Sequence, residues 1–473
     1  MPADPSALGY ALTRLPDGTI RQVSPLTGTA VWTVPGRAHR PLAPTAPADP
    51  LPEHGRDRIC AFCSGRMLDT PPEKARLVWQ VNDTTPAGNT PAGNASAGNT
   101  PAGTTGAGTP RQEPWRILRH LPAEALTATQ AQFRRVPNLF EILPLAYWQA
   151  NHGCEVEPTV RDRAAAYVAS SAGRAHVLGV LRSRMRAAGA PAEAVALEPE
   201  SALLPHALEL FAGCNDVVIA RRHHVDGAVL DDELASAGDL TPHEHHAFTE
   251  FTIDALRDLH AGNEFARYVA VFQNWMRPAG ASFDHLHKQL VAIDEYGPQL
   301  AREEQFLRAD VDLFSTAIVD PAARAGLLVA RTDHAVALAG VGHRYPTLEV
   351  YSTAAGVPPW VHSVEARRSF SDMLHACHAA TGRLVPTNEE WHYRPPRSHL
   401  PMPWRVNLKW RVSVLAGFEG GTRIHVNTID PFTLRDRVVA NLAALREAGR
   451  IAPMALGDEC GTDAGILGYA RGS

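Results

Sequence analysis

Residues 272–290 read FQNWMRPAGASFDHLHKQL, and the two histidines near their end, His285 and His287, are the first chemical signal in the chain. The apolar run 268–272 predicts a strand, the Gly/Pro-rich stretch after it a turn, and residues 287–293 a second strand. On a strand, residues i and i+2 share a face, so both imidazoles project into one site while Leu286 turns into the core. A bare HxH is more often two hydrogen-bonded histidines on a half-exposed strand than a reactive pair. The neighbours shift that weight. Gly280, Ala281 and Ser282 make a small-residue turn whose N–H groups and hydroxyl can cradle phosphate oxygens, and Gln289 continues the histidine face.

Working outward, residues 216–220 (DVVIA) predict a short buried strand, and 242–260 a helix with apolar positions at Phe248, Phe251, Ile253, Leu256 and Leu259. Residues 159–210 have helical spacing broken at Gly189-Ala190-Pro191, which gives two or three helices. Residues 9–34 predict a hairpin of two short strands around Pro16-Asp17-Gly18. In the second half, strands near 335–338, 348–351 and 404–415 surround a helix at 363–380, and a last helix lies near 434–448. The order lacks a regular βαβ repeat, so the predicted class is α+β. Residues 84–110 repeat NTPAGN-like units with no apolar side chain larger than alanine, which predicts a flexible insertion.

A chain of 473 residues, 45% hydrophobic and 20% charged, can build more than one core. Its formal charge of −5 and the lack of a basic face argue against nucleic acid as a partner. No stretch of eighteen apolar residues and no signal-peptide pattern is present, so no membrane partner and a cytoplasmic location are expected. Six cysteines do not make a disulfide framework, and Cys154, Cys214, Cys377 and Cys460 read as small buried hydrophobes. Cys60 and Cys63, two residues apart, can both reach one tetrahedral ion, although a coincidental or redox pair is an equal prior for CxxC alone. His243, His245 and His246 in PHEHH do not match HExxH and read as surface histidines. Residues 391–397 (WHYRPPR) either line a nucleotide pocket or form an ordered surface loop, and Arg405, Asn407 and Lys409 either meet a phosphate or form a solvated strand face.

The run Asn274, Gly280, Ala281, Ser282, His285-Leu286-His287-Lys288-Gln289 resembles the active-site motif of galactose-1-phosphate uridylyltransferase and its relatives in the histidine-triad superfamily. In that motif Asn precedes Gly-x-Ser and His-Pro-His-x-Gln, and Leu286 here takes the place of the middle Pro. The run from Gly213 to His224 resembles the family strand whose terminal histidine binds zinc. The run Ala416-Gly417-Phe418-Glu419 resembles a stretch whose glutamate meets sugar hydroxyls. The family's C-terminal half usually carries a His-x-His pair in the strand before that stretch. Here Trp404 to Lys409 occupies it, so the resemblance does not extend to an accessory second metal in that half, and the sequence leaves that site open.

The resemblance implies a duplicated histidine-triad fold, two antiparallel-sheet halves with helices, at residues 1–325 and 326–473. The insertion 84–110 and the helical block 159–210 would be additions to the first half. It implies a structural Zn2+ on Cys60, Cys63, His224 and His285, with His287 as nucleophile toward the α-phosphorus of a nucleoside diphosphate sugar. Ser282 and Gln289 would assist the chemistry; Asn274, Gly280, Ala281 and Glu419 would bind substrate. The implied reaction is nucleotidyl transfer, uridylyl first, to a sugar 1-phosphate through a covalent nucleotidyl-histidine, and Gln289 in place of a third histidine favours transfer over hydrolysis. The alternatives are a phosphorylase using inorganic phosphate, as in the ADP-glucose branch, and a nucleotide-binding protein of the same fold that does not turn over. The family also leaves room for a homodimer.

Overall fold

The computed structural model describes residues 11–36, 47–80, 114–354, 356–413, 416–463 and 465–467. The insertion expected at 84–110 lies outside them.

Sixteen strands are present among the described residues: β1 (Leu12–Arg14), β2 (Ile20–Val23), β3 (Ala30–Thr33), β4 (Ala75–Trp79), β5 (Trp115–Arg119), β6 (Phe133–Pro137), β7 (Asn215–Ala220), β8 (Tyr268–Trp275), β9 (His287–Ile293), β10 (Leu328–Arg331), β11 (Ala335–Ala339), β12 (Thr347–Ser352), β13 (Thr387–His392), β14 (Arg405–Trp410), β15 (Ile424–Asn427) and β16 (Ala455–Leu456). Twelve of them form one antiparallel sheet in the order β16-β10-β11-β12-β14-β13-β8-β9-β7-β6-β4-β5. Six strands come from residues 75–293 and six from 328–456, and the two sets meet at β8 and β13. This is the α+β, two-set antiparallel arrangement expected.

The N-terminal segment departs from the expected hairpin. It makes three strands, and β3 then pairs in parallel with β15, almost four hundred residues later, in a separate small sheet. Short strands of this kind carry too little periodic signal to reveal a distant partner.

One face of the large sheet is closed by two helices. The helix Pro242–Gly262 starts where Thr241 and Glu244 form a reciprocal cap with Pro at the first position, and it buries Phe248, Phe251, Leu256 and Leu259. The helix Val364–Thr381, capped by Ser363, buries Phe370, Met373, Leu374 and Cys377 on the same face. The expected helical block is present as helices at Pro158–Ala169, Ser171–Ala187 and Ala192–Leu197 with shorter turns to Ala212, and it has its own small core around Tyr167, Val177, Leu181 and Phe211.

His245 and His246 correct the surface reading of PHEHH: both are fully buried. The His245 Nδ1 meets Ser371 Oγ at 2.8 Å, and the His246 ring packs edge-on against Trp115. Only His243 sits toward the periphery, stacked on Trp79. The polar first turn of the helix hides this, because the cap residues are polar whether or not the next turn is covered. Trp391 and Tyr393 are also core residues, so 391–397 does not offer its aromatic rings as a stacking surface.

Candidate active site

The CxxC loop, the end of β7 and the approach to β9 bring four ligand atoms together. Cys60 Sγ and Cys63 Sγ are 3.7 Å apart. His223 Nδ1 lies 3.5 and 3.3 Å from them, and His285 Nδ1 lies 3.5 and 3.8 Å from them. A tetrahedral ion with metal–sulfur bonds of about 2.3 Å and metal–nitrogen bonds of about 2.0–2.1 Å requires separations of roughly 3.8 Å and 3.6 Å. The four groups therefore fit a closed Cys₂His₂ metal centre, and no other such group occurs among the described residues. His285 Nε2 donates to the Ala220 carbonyl at 2.7 Å, which leaves Nδ1 unprotonated toward the thiols. A hydrogen bond from the Cys60 thiol is the largest influence holding the Cys63 thiol well below its ordinary range.

The fourth member of this group is His223, where the sequence reading places His224. Residue 224 forms an isolated bridge with Leu234, and its Nε2 faces the Asp231 carbonyl at 3.3 Å. Its ring lies flat on that of His223, with centroids 4.6 Å apart. Two adjacent histidines at a strand end differ only in backbone phase, which the sequence does not display.

His287 opens β9, whereas His285 lies two residues before it in a bend. Both rings still meet Phe62 of the CxxC loop edge-on, at 6.2 and 5.1 Å, so the two imidazoles do share a side. His287 is 4% exposed, and its Nδ1 donates to the His285 carbonyl at 2.7 Å. A carbonyl only accepts, so Nδ1 carries the proton and Nε2 keeps its lone pair. Burial pushes the His287 pKa down to about 4, and the ring is neutral at pH 7. His285 therefore ties the metal group and the free imidazole into one rigid unit.

Strand register places the other candidates. Gln289 pairs with Phe272, so side chains of Phe272 and Asn274 share the face of Gln289 and His287. Across the next ladder Asn388 pairs with Asn274 and Glu390 with Phe272. Asn388 Nδ2 donates to Asn274 Oδ1 and to the Ala279 carbonyl, both at 2.7 Å, and Arg411 Nη1 donates to Asn388 Oδ1 at 2.5 Å. This chain fixes the Asn274 amide and the turn before His285. Neither Asn388 nor Arg411 was singled out from sequence; the alternation of Asn388, Glu390 and His392 along β13 was the available sign.

The turn itself differs from expectation. Gly280 has φ +90°, where a side chain is strained, and Met276 is held at φ +65°. The Gly280 and Ala281 N–H groups are bonded to the Arg277 and Met276 carbonyls, so they do not form the expected phosphate cradle. Ser282 is exposed and Gln289 half-buried, with Asn138 Nδ2 3.5 Å from Gln289 Oε1. Glu419 is not brought to this face: it stands on the short helix Gly417–Thr422 beside the small sheet and accepts the Ala416 N–H at 3.0 Å. On β14, Lys409 pairs with Glu390 at 2.6 Å and buried Arg405 pairs with Glu303, so neither Arg405 nor Lys409 belongs to a plain solvated face.

A family model described as a domain of unknown function, DUF4921, matches residues 15–469. The chain belongs to that family. A comparison with curated proteins finds no match. Among solved structures, the chain is similar to an ADP-glucose phosphorylase from Arabidopsis thaliana with bound ADP-glucose, at 16% identity and a TM-score of 0.50 over 89% of this chain and 97% of that one. It is also similar to a galt-like protein from Arabidopsis thaliana, at 19% identity and a TM-score of 0.40 over 47% of this chain and 74% of that one. A uridylyltransferase structure matches at 17% identity and a TM-score of 0.41, over 50% of this chain and 76% of that one. The phosphorylase and this chain share their fold across nearly their whole lengths.

Proposed function

We propose that this chain is a nucleotidyltransferase acting on a nucleoside diphosphate sugar, with His287 as nucleophile. The observation that carries the reading is the locked tautomer of a buried, neutral His287, whose Nδ1–H is held by the carbonyl of a residue in the Cys/His group. Nε2 attacks the α-phosphorus; the bond from that phosphorus to the bridging oxygen breaks, and its electron pair leaves with sugar 1-phosphate. The ring gains positive charge, which the hydrogen bond to the His285 carbonyl stabilises. An oxygen of a phosphate-bearing acceptor then attacks the nucleotidyl-histidine, and Nε2 departs with its lone pair. Asn274, Gln289 and the Ser282 hydroxyl stabilise charge on the phosphate oxygens.

Zinc fits the Cys60, Cys63, His223 and His285 set, where it would supply a structural anchor for the His285 backbone. The division into halves at 1–325 and 326–473 and a cytoplasmic location belong to the same proposal. Among the described residues no helix is long and apolar enough to cross a membrane.

Uridylyl transfer to a sugar 1-phosphate is the first form of the reaction. The second form uses inorganic phosphate as acceptor and adenylyl as the group moved, and the whole-length likeness to a phosphorylase of ADP-glucose favours it. Incubating the protein with UDP-glucose or ADP-glucose labelled in the α-phosphate, then chasing with galactose 1-phosphate or phosphate, separates the two by product. Absence of an acid-labile labelled adduct with every nucleotide sugar would refute the covalent mechanism.

A further inference from the structure

The sheet face that carries His287 continues across β8 and β13 into a cleft of about 530 Å³. Its walls include Phe272, Asn274, Asn388, Glu390, His392 and Arg411. By register these strand residues lie on one side of the sheet, and on that side β13 is two strands from β9. Neighbouring strands are about 4.8 Å apart, so the wall at Asn388 stands roughly 10 Å from the His287 backbone. That interval accommodates a phosphorus bonded to the imidazole and one further phosphate beside it.

Among the described residues, the charged groups of this cleft and of the adjoining strand β14 are paired except at one point. Lys409 is paired with Glu390, and Arg405 with Glu303. Arg411 has no carboxylate within ion-pair distance among the described residues. Its guanidinium lies 4.7 Å from the centroid of the Tyr345 ring, Nη1 is bonded to the neutral Asn388 amide, and the buried Nε has no partner among the described residues. A half-buried guanidinium held only by a neutral amide and a ring face has its desolvation only partly offset, and its planar fork matches phosphate oxygens. Its link through Asn388 reaches Asn274, which faces the nucleophile.

We propose that this cleft is the subsite for the phosphate that leaves and the phosphate that enters, with Arg411 as its anion ligand. The inference rests on the reading of His287 as nucleophile and adds the acceptor's place to it. Departing sugar 1-phosphate and incoming acceptor occupy the same volume in turn, each as a phosphate dianion, free or esterified. In the second step an acceptor oxygen forms the new bond to the α-phosphorus as the bond to Nε2 breaks; no proton is required from the cleft.

The test compares the wild-type protein with Arg411→Gln and Arg411→Lys. Binding of inorganic phosphate and of glucose 1-phosphate is read by ³¹P NMR titration, and nucleoside monophosphate binding by calorimetry. Loss of a charge-assisted pair predicts about tenfold or greater weakening of phosphate binding in Arg411→Gln, with partial recovery in Arg411→Lys and nucleoside monophosphate binding retained. The glucose 1-phosphate and inorganic phosphate arms tell esterified from free acceptor. Unchanged phosphate binding in Arg411→Gln overturns the subsite, as does equal weakening of nucleoside monophosphate binding. Phosphate binding through Arg411 in a protein that never forms the His287 adduct would keep the cleft and sink the nucleotidyl reading.

Discussion

His287 and His223 carry separate expectations. Replacing His287 with Ala should abolish acid-labile nucleotidylation while leaving metal content intact, because the metal group lies on His285; a surviving adduct would reassign the nucleophile. His223→Ala should cost most of the bound metal and lower thermal stability, whereas His224→Ala should keep both, as read by metal analysis and melting of the two variants. Equal loss in the two would return residue 224 to the ligand set. At this scale the convergence of Cys60, Cys63 and His285 was legible through the family resemblance, since CxxC and HxH spacing alone left other readings open. Choosing between His223 and His224 was not, because one residue of backbone phase turns the ring in or out and depends on the bridge between His224 and Leu234. Asn388 was illegible for another reason: its partner Asn274 is 114 residues away and is found only through register.

The junction between β8 and β13 is the element most exposed to a single change. Asn388 is 8% exposed and satisfies both Asn274 Oδ1 and the Ala279 carbonyl. Asn388→Ala strips partners from buried acceptors, which costs about 1–3 kcal/mol and frees the turn that leads to His285. The expected outcome is a lower melting temperature with metal retained and a slower transfer step; a variant with wild-type melting and turnover would remove the amide from the machinery. Helices with capping boxes and long apolar faces, such as Pro242–Gly262, were readable because cap and periodicity agree. The three-strand N-terminus was not, because its pairing with β15 is set by tertiary contact between distant segments.

Across the whole molecule, buried histidines set an acid limit. Burial holds His375 down to about 4, and it is 1% exposed between the helix and the Leu240 carbonyl. Above pH 6.5 neither folded nor unfolded chain protonates it. Between 6.5 and about 4 the unfolded chain takes up a proton that the folded one refuses, so stability falls as pH drops through that window, by on the order of 3 kcal/mol for such a group. His260, also held down to about 4 by burial, acts in the same direction. Melting temperature followed from pH 7.5 to 4 should be flat and then descend, and His375→Gln should shallow the descent; a slope unchanged in that variant would remove His375 from the account.

The two six-strand sets are stitched by four residue pairs, from Thr387 with Trp275 to Glu390 with Phe272, inside one twelve-stranded hydrogen-bonded sheet. Such a plate has no hinge at its midline. Opening the nucleophile's neighbourhood by swinging one set away would tear that sheet, so any adjustment to cargo of different size must come from side chains and overlying loops, and the floor beneath His287 and Arg411 stays at one spacing throughout turnover.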